Sequence, residues 1–193
     1  MLKMILLGFL NYNTHTGYDL KRLIEQSINN FWNAYHSQIY TTLRKMEQEG
    51  LVTSDLADDD DKLNKRVYTI TAAGQAELHQ WLQKPMQHLP TTKNEFMVRV
   101  FFSGQRDDDS IIAELRLHRQ MHQERLEAYR AYDMRAAVAD FADDVDAPHI
   151  QREMLFWQMT LEYGIDYEEM VIRSIDKMLA KLEGQREATH HEA

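Results

Sequence analysis

The sequence contains no cysteine, which excludes a disulfide framework, a zinc finger and a thiol nucleophile and fits a reducing compartment. Three prolines and seven glycines in 193 residues exclude a collagen-like or low-complexity chain. Nor does any apolar stretch approach the roughly 20 residues that a membrane span needs. The opening run MLKMILLGFL is short, has no small-residue cleavage site before the polar stretch 17–25, and reads as a buried helix, not a leader. Gly-rich phosphate loops, nucleophile elbows and HExxH zinc motifs are missing too, so no catalytic residue, enzyme activity, metal or cofactor is assigned. The expectation is a cytoplasmic protein with no membrane partner.

With 44% hydrophobic and 27% charged residues, the composition is that of a globular chain of one large or two small domains. The formal net charge of -9 speaks against nucleic acid until it is divided along the chain. Residues 1–84 carry nine Lys/Arg and ten Asp/Glu, and four of those acids form the single run Asp58–Asp61; residues 85–193 carry thirteen and twenty-one. A DNA-binding surface is therefore compatible with the first part and not with the second.

The pattern changes at QKPMQHLP, which places a domain boundary between residues 84 and 85. Before it, residues 2–10 form an all-round apolar helix. Thr16 caps a second helix whose inner face is Tyr18, Leu20, Leu23, Ile24 and Ile28. A third helix, residues 37–48, buries Ile39, Leu43 and Met46 and is stopped by Gly50. Two β-prone runs, 51–55 and 66–71, flank a polar turn, and Thr71 caps a fourth helix through Leu82. Helix, helix, helix, hairpin, helix is the order of a winged helix-turn-helix, whose third helix reads a major groove.

After the boundary the pattern is helical throughout: a connecting helix in residues 93–103 packed on the core, a long helix after Asp107–Ser110, and another from Pro148 with Ile150, Met154, Trp157, Leu161, Ile165, Ile172, Ile175, Leu179 and Leu182 at helical spacing. The tail from Gly184 is expected to fray. So long an apolar stripe is more fully buried against a second copy, which makes a homodimer the economical arrangement. The fold expected is mainly α with a small β-hairpin: an N-terminal winged helix-turn-helix domain (1–84) and a C-terminal long-helix domain (85–193) for dimerisation and effector sensing.

Ser37, Gln38, Tyr40, Thr41, Arg44 and Lys45 stand away from the buried stripe of the third helix. Gln suits adenine, Arg and Lys suit guanine or phosphate, and hydroxyls suit phosphate oxygens, so these residues are candidates for contacting double-stranded DNA. A merely solvated face is the competing account. The wing adds Lys62, Lys65 and Arg66 beside the four aspartates, a poor calcium loop without spaced ligands or a turn glycine. Glu114, His118 and His122 share a helical face, but no fourth ligand joins them, so no metal site is assigned. Arg99 stands amid apolar neighbours in NEFMVRVFF. It either snorkels to solvent or anchors a carboxylate-bearing aromatic molecule, with Phe96 one turn away and Trp157 and Tyr163 as an opposing wall.

Along LLGFL, GYDLKRLIE, FWNAYHSQIYTTLRKMEQEGLV, KRVYTITAAGQAELHQWL, KNEFMVRVFFSG and, more faintly, LEYGIDYEEM, the chain resembles the PadR family of bacterial transcriptional regulators. Thr41 stands where that family usually has proline, and the tetra-aspartate turn is unusual for it. The wording of FWNAYHSQIY and NEFMVRVFF resembles the branch that controls phenolic acid decarboxylase. The resemblance implies a homodimeric, DNA-binding transcriptional repressor released from its operator by a hydroxycinnamic acid such as p-coumarate or ferulate. The alternatives are a PadR-like sensor of other hydrophobic or antimicrobial compounds, or an effector-blind protein-interaction module.

Overall fold

The computed structural model describes residues 1–28, 32, 35–56, 66–89, 93–139 and 147–191, with 139 and 186–191 described by their backbone course alone. The chain divides into two compact units, Met1–Pro90 and Thr91–Ala193, the first ending six residues beyond the expected boundary at 84.

The first unit runs α1 (Leu2–Tyr12), β1 (His15–Thr16), α2 (Gly17–Ser27), α3 (His36–Gln48), β2 (Val52–Leu56), β3 (Arg66–Ile70) and α4 (Ala72–Gln83). Its core joins Leu6, Leu7 and Leu10 of α1, Leu20 and Ile24 of α2, Ile39, Leu43 and Met46 of α3, Leu51, Val52, Tyr68 and Leu78. Each such side chain withdrawn from water contributes roughly 1.5–3 kcal/mol. Tyr18 is not part of this face: at 64% exposure it points outward, because the first turn of α2 lies at the rim of the stripe that Leu20 and Ile24 bury.

Caps fix the ends of these helices. The Thr16 hydroxyl accepts from the Asp19 amide at 3.1 Å, and the Asp19 carboxylate accepts from the Thr16 amide at 3.1 Å, a reciprocal capping box. Thr71 caps α4 by accepting from the Gly74 amide at 3.1 Å. At the end of α3, Gly50 takes φ +71°, its amide donates to the Glu47 carbonyl at 3.0 Å, and the Leu51 amide donates to the Met46 carbonyl at 2.9 Å. This closure needs a left-handed residue, which glycine supplies without strain, and it turns the chain straight into β2.

β2 and β3 pair antiparallel with Val52 opposite Ile70 and Leu56 opposite Arg66, and β1 adds a third strand on the other side of β3, with His15 opposite Tyr68. The sequence pattern did not foreshadow β1, since two residues have no period. The tip of the hairpin, including Asp58–Asp61, Lys62 and Lys65, lies outside the described residues.

The second unit runs α5 (Glu95–Phe101), a short 3-10 turn (Ser103–Gln105), α6 (Asp108–Arg130), α7 (Met134–Ala139) and α8 (Pro148–His191). The connecting helix packs on a core, as expected, but through one side only. No residue of α5 is buried; Phe96 and Val100 rest against the cluster of Ile111, Ile112, Leu115, Ile175 and Leu179, while Phe101 is 80% exposed. A seven-residue helix with Glu95 and Arg99 on one side and apolar residues on the others cannot bury every side against one surface. α6 and α8 run antiparallel, joined by Arg116–Glu183, Arg119–Asp176, Arg125–Glu168 and Arg130–Glu169 ion pairs. Nor does the tail end at Gly184: α8 continues to His191, because one glycine costs a helix only about 1 kcal/mol when good helix formers flank it. The short α7, with Ala136 donating its amide to Asp133 Oδ1 at 3.0 Å, had no periodic signal long enough to read.

Two glycines should respond oppositely to alanine. A Cβ on Gly74 would stand 2.2 Å from the Leu51 carbonyl oxygen, where backbone meets backbone. Gly74→Ala should therefore lower stability by about 2–3 kcal/mol. A Cβ on Gly8, in mid-helix, meets nothing within 4 Å, so Gly8→Ala should raise stability by about 1 kcal/mol. Urea unfolding of both variants measures each sign. His15 supplies a pH dependence. Burial lowers its imidazole below the ordinary value of 6.5, against the nearby Asp19 carboxylate and with the Arg22 guanidinium. The unfolded chain therefore binds a proton that the folded chain refuses, and stability falls as pH drops through 6.5 toward the lowered folded value. Between about pH 7.5 and about pH 5.5, on either side of the ordinary histidine value, the parent should lose more stability than His15→Gln.

Candidate nucleic-acid interface

The geometry of α3 follows from its two faces. Ile39, Leu43 and Met46 are wholly buried, and this fixes the rotation of the helix about its axis. Ser37, Gln38, Thr41, Arg44 and Lys45 are then exposed together, as the sequence spacing anticipates, and Gln48 joins them. Gln48 was not singled out, although its place four residues after Arg44 and seven after Thr41 was signal enough. Among the described residues Arg44 makes no ion pair. Lys45 lies 3.8 Å from Glu49 and is 73% exposed, a loose pairing that a phosphate can displace.

Tyr40 behaves differently from its neighbours. It is half-buried, its ring centroid is 4.6 Å from that of His36, and a Cβ on Gly17 would stand 2.7 Å from its ring carbons. Its ring thus fills the space that glycine leaves at the start of α2, at the margin of the exposed face. Gln38 also has a local task, since its Oε1 accepts from the Tyr35 amide at 3.3 Å and closes the first turn. Bidentate contact with adenine would require that bond to be given up. The hydroxyls of Thr41 and Thr42 donate to the carbonyls of Ser37 and Gln38, at 2.8 and 2.7 Å, leaving their oxygens as acceptors. Beside these first turns lies an open depression of about 420 Å³ walled by Leu2, Trp32, Ser37, Gln38, Thr41 and Thr42.

At the base of the wing, Arg66 donates to Ser54 Oγ at 3.0 Å and lies 3.5 Å from Glu47 Oε1. Tyr68, next to it on the inner side of the sheet, is 5% exposed, and burial pushes its phenol up, helped by Glu47 and opposed by Arg66. Lys65 lies outside the described residues.

The four effector candidates of the second unit fall into two pairs. The Phe96 ring stacks on His118 with centroids 4.1 Å apart. Arg99 faces solvent and is held by Glu95 at 2.8 Å and Glu114 at 3.9 Å, so its charge is already answered. Phe96 packs at the level of Ile175, which follows Trp157 by 18 residues on one unbroken helix, about 27 Å along the axis at 1.5 Å per residue. Within one chain, then, Phe96 and Arg99 do not share a cavity wall with Trp157. Tyr163 is 69% exposed. The helical face of Glu114, His118 and His122 is also divided: Glu114 pairs with Arg106, His118 stacks on Phe96, and His122 hydrogen-bonds the buried Glu168. No group of three metal-ligating side chains occurs among the described residues. Among them, too, no helix is long and apolar enough to cross a membrane.

Residues 6–80 match the transcriptional regulator PadR-like family, and residues 92–183 match the virulence activator alpha C-terminal family. The negative transcriptional regulator PadR of Bacillus subtilis (strain 168) is 38% identical over 102 residues, which are 53% of this chain and 56% of that protein's length. The match thus spans little more than half of that relative. The probable transcriptional regulator Rv1176c of Mycobacterium tuberculosis is 29% identical over 182 residues, 89% of this chain and 92% of that protein. Bacillus subtilis PadR in complex with operator DNA has the same fold, with a TM-score of 0.76 and 25% identity over 94% of this chain and 98% of that one. The same regulator in complex with p-coumaric acid gives 0.67 and 23% over 94% and 95%, a likeness of fold alone. These relatives are regulators, not enzymes. With both units matched in turn, and with a winged domain whose third helix presents a polar face, residues 6–80 belong to the PadR-like family of transcriptional regulators, and the chain as a whole is similar to these regulators.

Proposed function

We propose that the protein is a homodimeric repressor that binds double-stranded operator DNA through α3 and the wing and is released by a small aromatic effector. The observation that carries this reading is the exposed row of Ser37, Gln38, Thr41, Arg44, Lys45 and Gln48 opposite a stripe with no exposure at all. Tyr40 supports that row from its edge, and the sequence of the hairpin carries Lys65 and Arg66 beside it. The operator complex of the Bacillus subtilis regulator supports the same reading.

Dimerisation is supported by the apolar surface of the second unit. Phe101 (80% exposed), Tyr163 (69%), Leu117 (57%) and Met159 (51%) would be costly to leave in water and suit the same face of a second copy. A hydroxycinnamate such as p-coumarate or ferulate is the effector we favour, since the Bacillus subtilis regulator is known with p-coumaric acid and is 38% identical over the matched segment. A pocket that used Phe96, Arg99, Trp157 and Tyr163 together would take its two halves from different copies. One observation favours the broader reading, a sensor of uncharged hydrophobic compounds: Glu95 and Glu114 already occupy Arg99, the cation a carboxylate would need. An effector-blind interaction module would bind no DNA.

Salt titration of binding to duplex DNA tests the reading. Displacement of condensed counterions should make affinity fall steeply with salt, and Thr41→Ala with Arg44→Ala should each cost about 1–3 kcal/mol on the preferred sequence. p-Coumarate should release the DNA, and Arg99→Ala should weaken that release. Salt-independent binding would leave the interaction module; release by uncharged aromatics alone would establish the broader sensor.

A further inference from the structure

Glu47 lies on α3, yet not on its reading face. Its side chain is 32% exposed and turns toward the sheet, where Oε1 accepts from Ser54 Oγ of β2 at 2.6 Å and lies 3.5 Å from Arg66 Nη1 of β3. Arg66 Nη1 also donates to Ser54 Oγ at 3.0 Å, which closes a triangle. Ser54 is opposite Tyr68 and Arg66 is opposite Leu56, so the guanidinium reaches diagonally across the pair toward α3. Three elements contribute one group each. Beyond the Gly50 closure, the helix that carries Thr41 and Arg44 is thereby tied to the base of the wing by a side-chain clasp, next to the buried Tyr68.

We propose that Glu47 is a positioning residue that sets the angle between the wing and α3, and that Arg66 is a strut in this clasp and not a phosphate contact. The inference rests on the reading that α3 and the wing bind DNA. An ion pair this exposed adds little to stability, so its effect lies in where it holds the hairpin. β1 braces the base of the hairpin only from the β3 side, through His15 and Thr16, so the clasp is what ties the β2 side to the flank of α3. For Arg66 to reach a phosphate it would have to leave both Ser54 and Glu47. Deleting Glu47 should therefore loosen the wing and free a cation together. The preferred sequence should lose affinity while random DNA does not.

The test uses the full chain and two probes, the duplex it enriches from a random library and a scrambled duplex of the same composition, each titrated over a range of salt. Glu47→Ala should reduce the preference for the enriched duplex about tenfold, the order of one misplaced base contact, without flattening the salt dependence. Arg66→Ala should do the same, and the double variant should lose no more than either alone. Glu47→Gln, which retains an acceptor for Ser54, should keep most of the preference. Ser54→Ala opens the clasp from the strand side without touching α3 and should match Glu47→Ala; it decides the matter if Glu47→Ala does not fold. The proposal is overturned if Arg66→Ala flattens the salt slope by about one, as loss of a phosphate contact would. Additive losses, or undiminished preference in Ser54→Ala, overturn it as well. Failure of the DNA reading looks different: the unaltered chain would enrich no duplex and would bind scrambled DNA without salt dependence.

Discussion

The winged unit depends on the rotational setting of α3. Three side chains with no exposure, Ile39, Leu43 and Met46, lock into the cluster formed with α1 and α2, and at 3.6 residues per turn this leaves no choice about which residues face outward. The Gly50 closure then fixes where the helix stops, so β2 begins at a set distance from the exposed face. Gly74 completes the frame by letting α4 approach the carbonyl of Leu51, directly behind that closure. Exposed polar side chains of ordinary flexibility are thus presented by a backbone with little freedom, which is the arrangement that the proposed reading of DNA requires.

The second unit uses a different economy. Its α6–α8 pair has a small apolar cluster at one end and a ladder of arginine–carboxylate pairs along the seam, with Glu168 buried at 2% exposure beside His122 and Arg125. Exposed pairs contribute little each, but an unpaired carboxylate at Glu168 would be costly, so that seam has one preferred register. The apolar side chains left outside it are the surface on which the proposed self-association rests, while the nearly neutral first half keeps the exposed polar face of α3.

Much of this was legible in the sequence because caps and periods are local. Thr16, Thr71 and Gly50 mark helix ends by chemistry that needs only neighbours, and the spacing of Ile39, Leu43 and Met46 gives a face without reference to the rest of the chain. The edges of faces were not legible. Tyr18 and Tyr40 both sit at the margin of a stripe; one turns out to solvent and the other lies on Gly17, and only the partner across the gap decides which. The Glu47–Ser54–Arg66 clasp joins residues seven and nineteen apart from Glu47, with no pattern to announce it. Nor could the sequence tell that α5 rests against α8 at the level of Ile175, eighteen residues beyond Trp157, so that Phe96 and Arg99 lie well apart from Trp157 within one chain.

The central claim is that α3 enters the groove. Photo-crosslinking tests it most directly: a benzophenone side chain is placed singly at Thr41, at Gln48 and, as a control, at the exposed Gln80 of α4, and each protein is irradiated on its enriched duplex. The account predicts crosslinks to bases from Thr41 and Gln48 and none from Gln80. Crosslinks from Gln80 with none from either α3 position would contradict it.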